Sequence, residues 1–260
     1  MSVIIKSNIQ TNNVNLPIYK LDPIIDDNTL LLFDARRITG SSPLGDNQDL
    51  PDLSDNGNLR TNGSSLAFVT TDPAYISLDN NEILEMIDGD SGNANSDFGI
   101  GGSTKGVLLI TWVKFKTLGR GLVMQMVGDD LGNSYQDSIM LWNVVTGVIR
   151  MSIGGSIFSD WAVSTDTWYQ VAMWGKPGLT PKVFINNVEG PTTGSVIAAS
   201  WNTTATQPNL PGDWQYGIED MDIGRVVLQV EQAAGSLDLD DAQSVIAADW
   251  NAFKSKYGLS

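Results

Sequence analysis

From Ser65 to Val230 the sequence is a succession of short apolar or alternating runs, each cut off by turn residues: SLAFVT, AYISL, GVLLITWVKFKT, GLVMQMVG, SIMLWNVV, VIRMSIG, WYQVAMWG, KVFINN and DIGRVVLQV. No pattern of helical period separates them. Strands without crossover helices must be joined by hairpins and arches, so the series predicts an all-β fold, an antiparallel two-sheet sandwich, and excludes a parallel α/β sheet.

Side-chain alternation sharpens this in the stretch WYQVAMW. Tyr169, Val171 and Met173 fall on one face, and Trp168, Gln170, Ala172 and Trp174 on the other. Both faces are largely apolar, as expected of a strand packed on both sides, or packed on one side and lining a groove on the other. Pro177 and Gly178 then predict a type II turn, and KVFINN returns as the partner strand. Asn186 and Asn187 both tolerate positive φ and supply the next tight turn.

The ends read differently. Residues 1–25 are Asn-rich, broken by Pro17 and Pro23, and without a sustained period; they read as an extended N-terminal arm. Residues 26–260 form the domain. It begins with the buried-strand pattern TLLLFDARR, followed by a loop from Gly40 to Gly63. At about 240–257, Ile246, Trp250, Phe253 and Tyr257 recur at helical spacing, Asp240 and Gln243 suit a capping box, and Gly258 suits a left-handed C-cap.

Composition removes much chemistry. The 260 residues contain no cysteine and no histidine. A disulfide framework, a thiol nucleophile, His-based catalysis and the commonest transition-metal ligand are therefore absent. Fifteen Lys and Arg against thirty Asp and Glu give a net charge of −15, which repels phosphate backbones and anionic membranes, so no nucleic-acid or membrane partner is expected. The opening residues lack the apolar core of about 7 to 15 residues that a secretory signal needs, so no export by that route is expected.

Four pieces, in order over residues 27–258, resemble the laminin-G-like or concanavalin A-like lectin/glucanase superfamily. DLSDNGN at 52–58 with AFVTTDPAYISL at 67–78 is similar to the family's "DLSGNGN" loop and "DYI" strand. LLITWVKFK at 108–116 is similar to its "WVK" strand. TWYQVAMW with KVFINNVEG is similar to its "TWYHVA" and "YVNG" hairpin, with Gln170 where His is frequent and Asn187 in place of the turn glycine. DIGRVVLQ with GSLDLDDAQSVIAADWNAF is similar to "IGR" followed by a closing helix. The resemblance implies a concanavalin A-like jelly roll with a short C-terminal helix. It hosts lectins, glycosidases, adhesion modules and viral structural parts, so it does not fix a function. Relatives with a terminal "W..F...YG" helix look like proteins of bacteriophage particles.

Several stretches are candidates for chemistry. A sugar site needs an aromatic platform beside planar polar groups. Trp201, Asn202, Trp214 and Tyr216 form the best such cluster; alternatively, its tryptophans fold back as a lid on the sandwich edge. Trp112, Trp142 and Trp168 lie in strand patterns and are expected in the core. Asp88, Asp90, Asn93, Asn95 and Asp97 form an oxygen-rich run able to wrap Ca²⁺, or else a polar loop without a cofactor. The run lacks the EF-hand glycine and distal glutamate. Asp129 and Asp130 are a similar, weaker pair. EILEMID puts Glu82, Glu85 and Asp88 three apart, unlike the E-x-D-x-x-E arrangement of laminarinase-type relatives, so no catalytic residues are assigned.

These readings lead to an expectation of a non-enzymatic structural or adhesion protein of a phage particle, located in the virion and present in many copies. Its arm would meet other virion proteins, and its sandwich would bind cell-surface glycans weakly. The alternative is a free carbohydrate-binding module or adhesin, and a glycoside hydrolase comes last.

Overall fold

A computed structural model of the chain describes residues 22–54, 57–62, 65–79, 82–88, 98–118, 121–128, 139–144, 147–153, 156–190, 196–197, 200–201, 206–209 and 220–260. Its strands are β1 (Thr29–Asp34), β2 (Asp49–Leu50), β3 (Gly57–Asn62), β4 (Phe68–Val69), β5 (Tyr75–Leu78), β6 (Ile83–Asp88), β7 (Val107–Phe115), β8 (Gly121–Gly128), β9 (Ile139–Val144), β10 (Val148–Ile153), β11 (Ser156–Ala162), β12 (Trp168–Gly175), β13 (Lys182–Ile185), β14 (Val188–Glu189), β15 (Thr206–Asn209) and β16 (Met221–Val230). One helix, α1 (Leu239–Phe253), follows and runs into a 3-10 turn at Lys254–Tyr257. The strands form two antiparallel sheets. The first has the order β14-β13-β12-β7-β16-β5-β4, with β1 also on β16, and the second has the order β11-β10-β9-β8-β15-β6-β3-β2.

Alternation along the central strands explains why the first sheet needs cover on both sides. Leu109, Val113 and Phe115 of β7, Tyr169, Val171 and Met173 of β12, and Val226 and Leu228 of β16 enter the core between the sheets. Their neighbours Leu108, Ile110, Ala172, Trp174 and Val227 form a second apolar cluster with Leu237, Ala242 and Ile246. Trp112 and Trp168 join Phe253 and Tyr257 in a third. Leaving this outer surface wet would forfeit roughly 1.5–3 kcal/mol for each large side chain, so α1 closes over it. WYQVAMW is thus packed on both faces.

The seam between helix and sheet is also polar. Asp249 of α1 is fully buried, and its carboxylate accepts from Trp112 Nε1 at 2.7 Å, Gln170 Nε2 at 2.8 Å and Arg225 Nε at 2.7 Å. Arg225, also fully buried, places Nη1 2.8 Å from Asp22 Oδ2 and 3.6 Å from Asp34 Oδ2, at ion-pair distance but outside hydrogen-bond geometry. Its guanidinium lies 4.0 Å from the Phe253 ring centre. Desolvation opposes the charge on Arg225, and the three carboxylates outweigh it, so the pKa moves up. Trp112 stacks on Trp250 at 5.7 Å and on Tyr257 at 4.5 Å, contacts worth about 0.5–1.5 kcal/mol each beyond area burial. Gly224 permits this arrangement: a Cβ there would lie 2.3 Å from the Tyr257 hydroxyl. The β16–β7 register shifts between Ile223 and Arg225, so the glycine is a bulge over which the tyrosine lies.

The turns follow the sequence. Gly178 has φ 79°, and Leu179 N–H donates to Lys176 O at 3.0 Å. Asn186 and Asn187 have φ 53° and 62° between the paired Ile185 and Val188, as a type I′ hairpin requires. Gly258, at φ 75°, ends the 3-10 turn in the left-handed region.

Three expectations need correction. The segment from Gly40 to Gly63, read as a loop, contains β2 and β3. The helix is capped by Asp238 in a reciprocal box with Asp241, not by Asp240 and Gln243. Burial of Leu237 beneath Trp174 fixes the entry two residues earlier, where Trp174 Nε1 donates to Leu237 O at 3.3 Å. Residues 22–25, read as the end of the arm, lie on the sandwich: Ile24 is buried, Ile25 packs on the second cluster, and Asp22 pairs with Arg225. The arm's residues 1–21 lie outside the described residues.

Candidate functional site: the outer face of the second sheet

Among the described residues of the second sheet, burial alternates with exposure. Leu50, Leu59, Thr61, Leu84 and Met86 of β2, β3 and β6 are buried. Residues one step out of phase with them occupy the outer face. Antiparallel register aligns these across strands: Asp49 opposite Arg60, Arg60 opposite Glu85, Glu85 opposite Asn209, Asn209 opposite Gln125, Gln125 opposite Met140, and Met140 opposite Ser152. At about 4.8 Å per strand this row spans about 29 Å.

The other end of the sheet fixes the phase independently. Ile149 of β10 is buried, Trp161 of β11 packs on the core, and Asp160 is exposed. Register sets Trp142 opposite Arg150 and Arg150 opposite Asp160, one step out of phase with Ile149 and Trp161. This second row lies on the same outer face, two residues along from Met140 and Ser152. Register sets the backbone position of Trp142 in phase with Arg150 and Asp160.

Side-chain chemistry is described for the β2–β3–β6 end. Arg60 Nε donates to Asp49 Oδ1 at 2.8 Å, and Arg60 is half-buried. The Asp49 hydrogen bond comes first among the causes that raise the Arg60 pKa, with the Glu85 charge adding to it. The described end of the face thus holds a cation between two acids, and backbone register continues the row through positions 209 and 125, with positions 142 and 150 beside Asp160. Planar hydrogen-bonding groups around one aromatic are the means by which proteins hold polyhydroxylated ligands with apolar ring faces.

The candidates from the sequence fall elsewhere. Trp201 is 1% exposed, its Nε1 donates to Lys105 O at 2.8 Å, and its backbone is bonded to Gly102 and Ser103. An indole so enclosed offers no platform, so of the two alternatives the lid holds. Asn202, Trp214 and Tyr216 lie outside the described residues. Of the proposed calcium run, Asp88 ends β6, while Asp90, Asn93, Asn95 and Asp97 lie outside the described residues, as do Asp129 and Asp130. Trp112 and Trp168 are buried as expected. In the sequence Glu85 stands out only within EILEMID; its place in the row depends on Asn209, a partner distant in sequence.

Comparisons with known proteins bear on the fold. The chain is similar to Trypanosoma rangeli sialidase, with 10% identity and a TM-score of 0.61 over 87% of this chain and 33% of that one. It thus spans about a third of the sialidase's length. It is similar to domain 4 of AbnA, a GH43 extracellular arabinanase from Geobacillus stearothermophilus, solved in complex with arabinotriose, with 17% identity and a TM-score of 0.56 over 84% of this chain and 98% of that one. It is also similar to botulinum neurotoxin type C, which depends on interaction with two ganglioside molecules to enter cells, with 13% identity and a TM-score of 0.53 over 85% of this chain and 51% of that one. No family model and no curated protein matches the chain. The class these likenesses and the topology share is an antiparallel two-sheet β-sandwich. Laminin-G proteins and phage particles do not enter into these likenesses.

Proposed function

We propose that the chain is a non-enzymatic carbohydrate-binding module that holds a glycan across the outer face of its second sheet. The observation that carries this reading is the register itself, which puts Arg60, Glu85, Asn209 and Gln125 in one row and Trp142, Arg150 and Asp160 beside it. Support also comes from AbnA domain 4, a sandwich of similar extent solved with a trisaccharide. The non-enzymatic reading rests on Glu82, Glu85 and Asp88, which stand three apart and do not reproduce the E-x-D-x-x-E arrangement of laminarinase-type enzymes. Display on a phage particle, expected from the motif resemblance, would multiply weak sugar contacts, but the site does not require it.

Arraying the purified chain on plant, bacterial and animal glycans tests the proposal, with and without Ca²⁺. Binding is expected to a defined glycan class. A dependence on Ca²⁺ would bring the 88–97 run into the site. A blank array under both conditions would refute the reading.

A further inference from the structure

A second site lies on the opposite side of the sandwich, where α1 meets the start of the domain. A cavity of about 1010 Å³ has walls that include Ile25, Leu53, Phe253, Arg36, Arg37 and Lys256. Its size is that of a small-molecule pocket, and its apolar walls are poorly suited to water. Its charges are unevenly committed. Asp22 and Asp34 also line it, but Asp22 is paired with Arg225, and Asp34 with both Arg36 and Arg225. Arg36 lies 4.7 Å from the Phe253 ring centre. Arg37 is exposed and has no ion-pair partner among the described residues, and Lys256 reaches only Asp72, at 3.5 Å. Directly behind Phe253, the fully buried Arg225 leaves Nη2 without a hydrogen-bond partner among the described residues. In a chain of net charge −15, this cavity has Arg37 and Lys256 at its wall, neither paired with the cavity's own Asp22 or Asp34.

We propose that this cavity binds a small amphipathic carboxylate, its acid group held by Arg37 and Lys256 and its apolar body against Ile25, Leu53 and Phe253. A carboxylate gains charge-assisted hydrogen bonds from the two cations that a neutral ligand cannot, and a bare inorganic anion would leave the apolar walls uncovered. The site does not depend on the glycan reading, because the two faces lie on different sheets.

Isothermal titration of the full chain with octanoate, and with octanamide as the uncharged match, tests it. One octanoate is expected per chain, with octanamide about tenfold weaker. Arg37→Ala and Lys256→Ala should each weaken octanoate several-fold at unchanged Tm. Ala252→Trp, which fills the cavity from the helix side, should remove binding; if that variant folds poorly, Arg37→Glu serves instead. Absence of octanoate binding to the wild-type chain, equal affinity for the amide, or full affinity in the Trp or Glu variant would each overturn the assignment.

Discussion

Replacing Asp249 by alanine removes the carboxylate at the centre of the helix–sheet seam. The structure sets the cost. Arg225 is fully buried and would keep only Asp22 and Asp34, while Trp112 Nε1 would lose its acceptor. Gln170 would retain only Ile246 O, at 3.1 Å. Breaking one side of a buried ion pair costs about 3–5 kcal/mol, and an orphaned buried donor about 1–3 kcal/mol. The terms overlap, so we expect a net loss of about 4 kcal/mol, a large share of a total stability of about 5–15 kcal/mol. At about 2–4 °C per kcal/mol for a domain of this size, Tm should fall by about 8–16 °C in thermal circular dichroism. Urea unfolding should show a lower midpoint with an unchanged slope. The double replacement Arg225→Met with Asp249→Leu should recover most of the loss, because an apolar pair needs no charge compensation. A single-variant shift of less than about 1 kcal/mol, or no coupling in the double-mutant cycle, would show that the seam is held by its apolar contacts alone.

Other substitutions test neighbouring parts of the account. Gly224→Ala should drive Tyr257 off Trp112 and cost about 1–3 kcal/mol, seen as a lower urea midpoint and altered near-UV tryptophan signals. Asn186→Ala, at φ 53°, should cost about 1–2 kcal/mol, whereas Asn187→Gly should be neutral within a few tenths of a kcal/mol; both are read by thermal unfolding. Asp34 provides a pH test. Burial pushes its carboxyl up, but the Arg36 hydrogen bond and the charges of Arg36 and Arg225 outweigh this and hold it below 3.8. The folded value therefore lies below the unfolded one, so the stabilisation is complete above about pH 4 and is lost as pH falls through the folded value. On acidification the wild-type chain should lose more Tm than Asp34→Asn over that window.

All nine runs seen in the sequence became strands, and the spacing of Ile246, Trp250, Phe253 and Tyr257 became the helix that covers the first sheet. Local period is enough to reveal such elements because burial on a fixed face dictates it. β3 and β6 are harder to see, since each is a short run interrupted by a charge, Arg60 in GNLRTN and Glu85 in ILEMID, and sits beside turn-forming residues. β15, TQPN, contains a proline that strands disfavour. Trp201 could not be settled from sequence, since an aromatic in a turn-rich segment can face either way. The outer-face rows were invisible for a different reason. Glu85 meets Asn209, and Trp142 meets Arg150, only through pairing register, and register is a property of the assembled sheet.

The most direct measurement concerns Trp142. Its register opposite Arg150, within the proposed glycan face, predicts that Trp142→Ala will keep the wild-type Tm within a few degrees and lose at least about tenfold in affinity for whichever glycan the array identifies. An unchanged affinity, or a collapse in stability of the kind that follows removal of a buried tryptophan, would contradict the placement of the binding face on the second sheet.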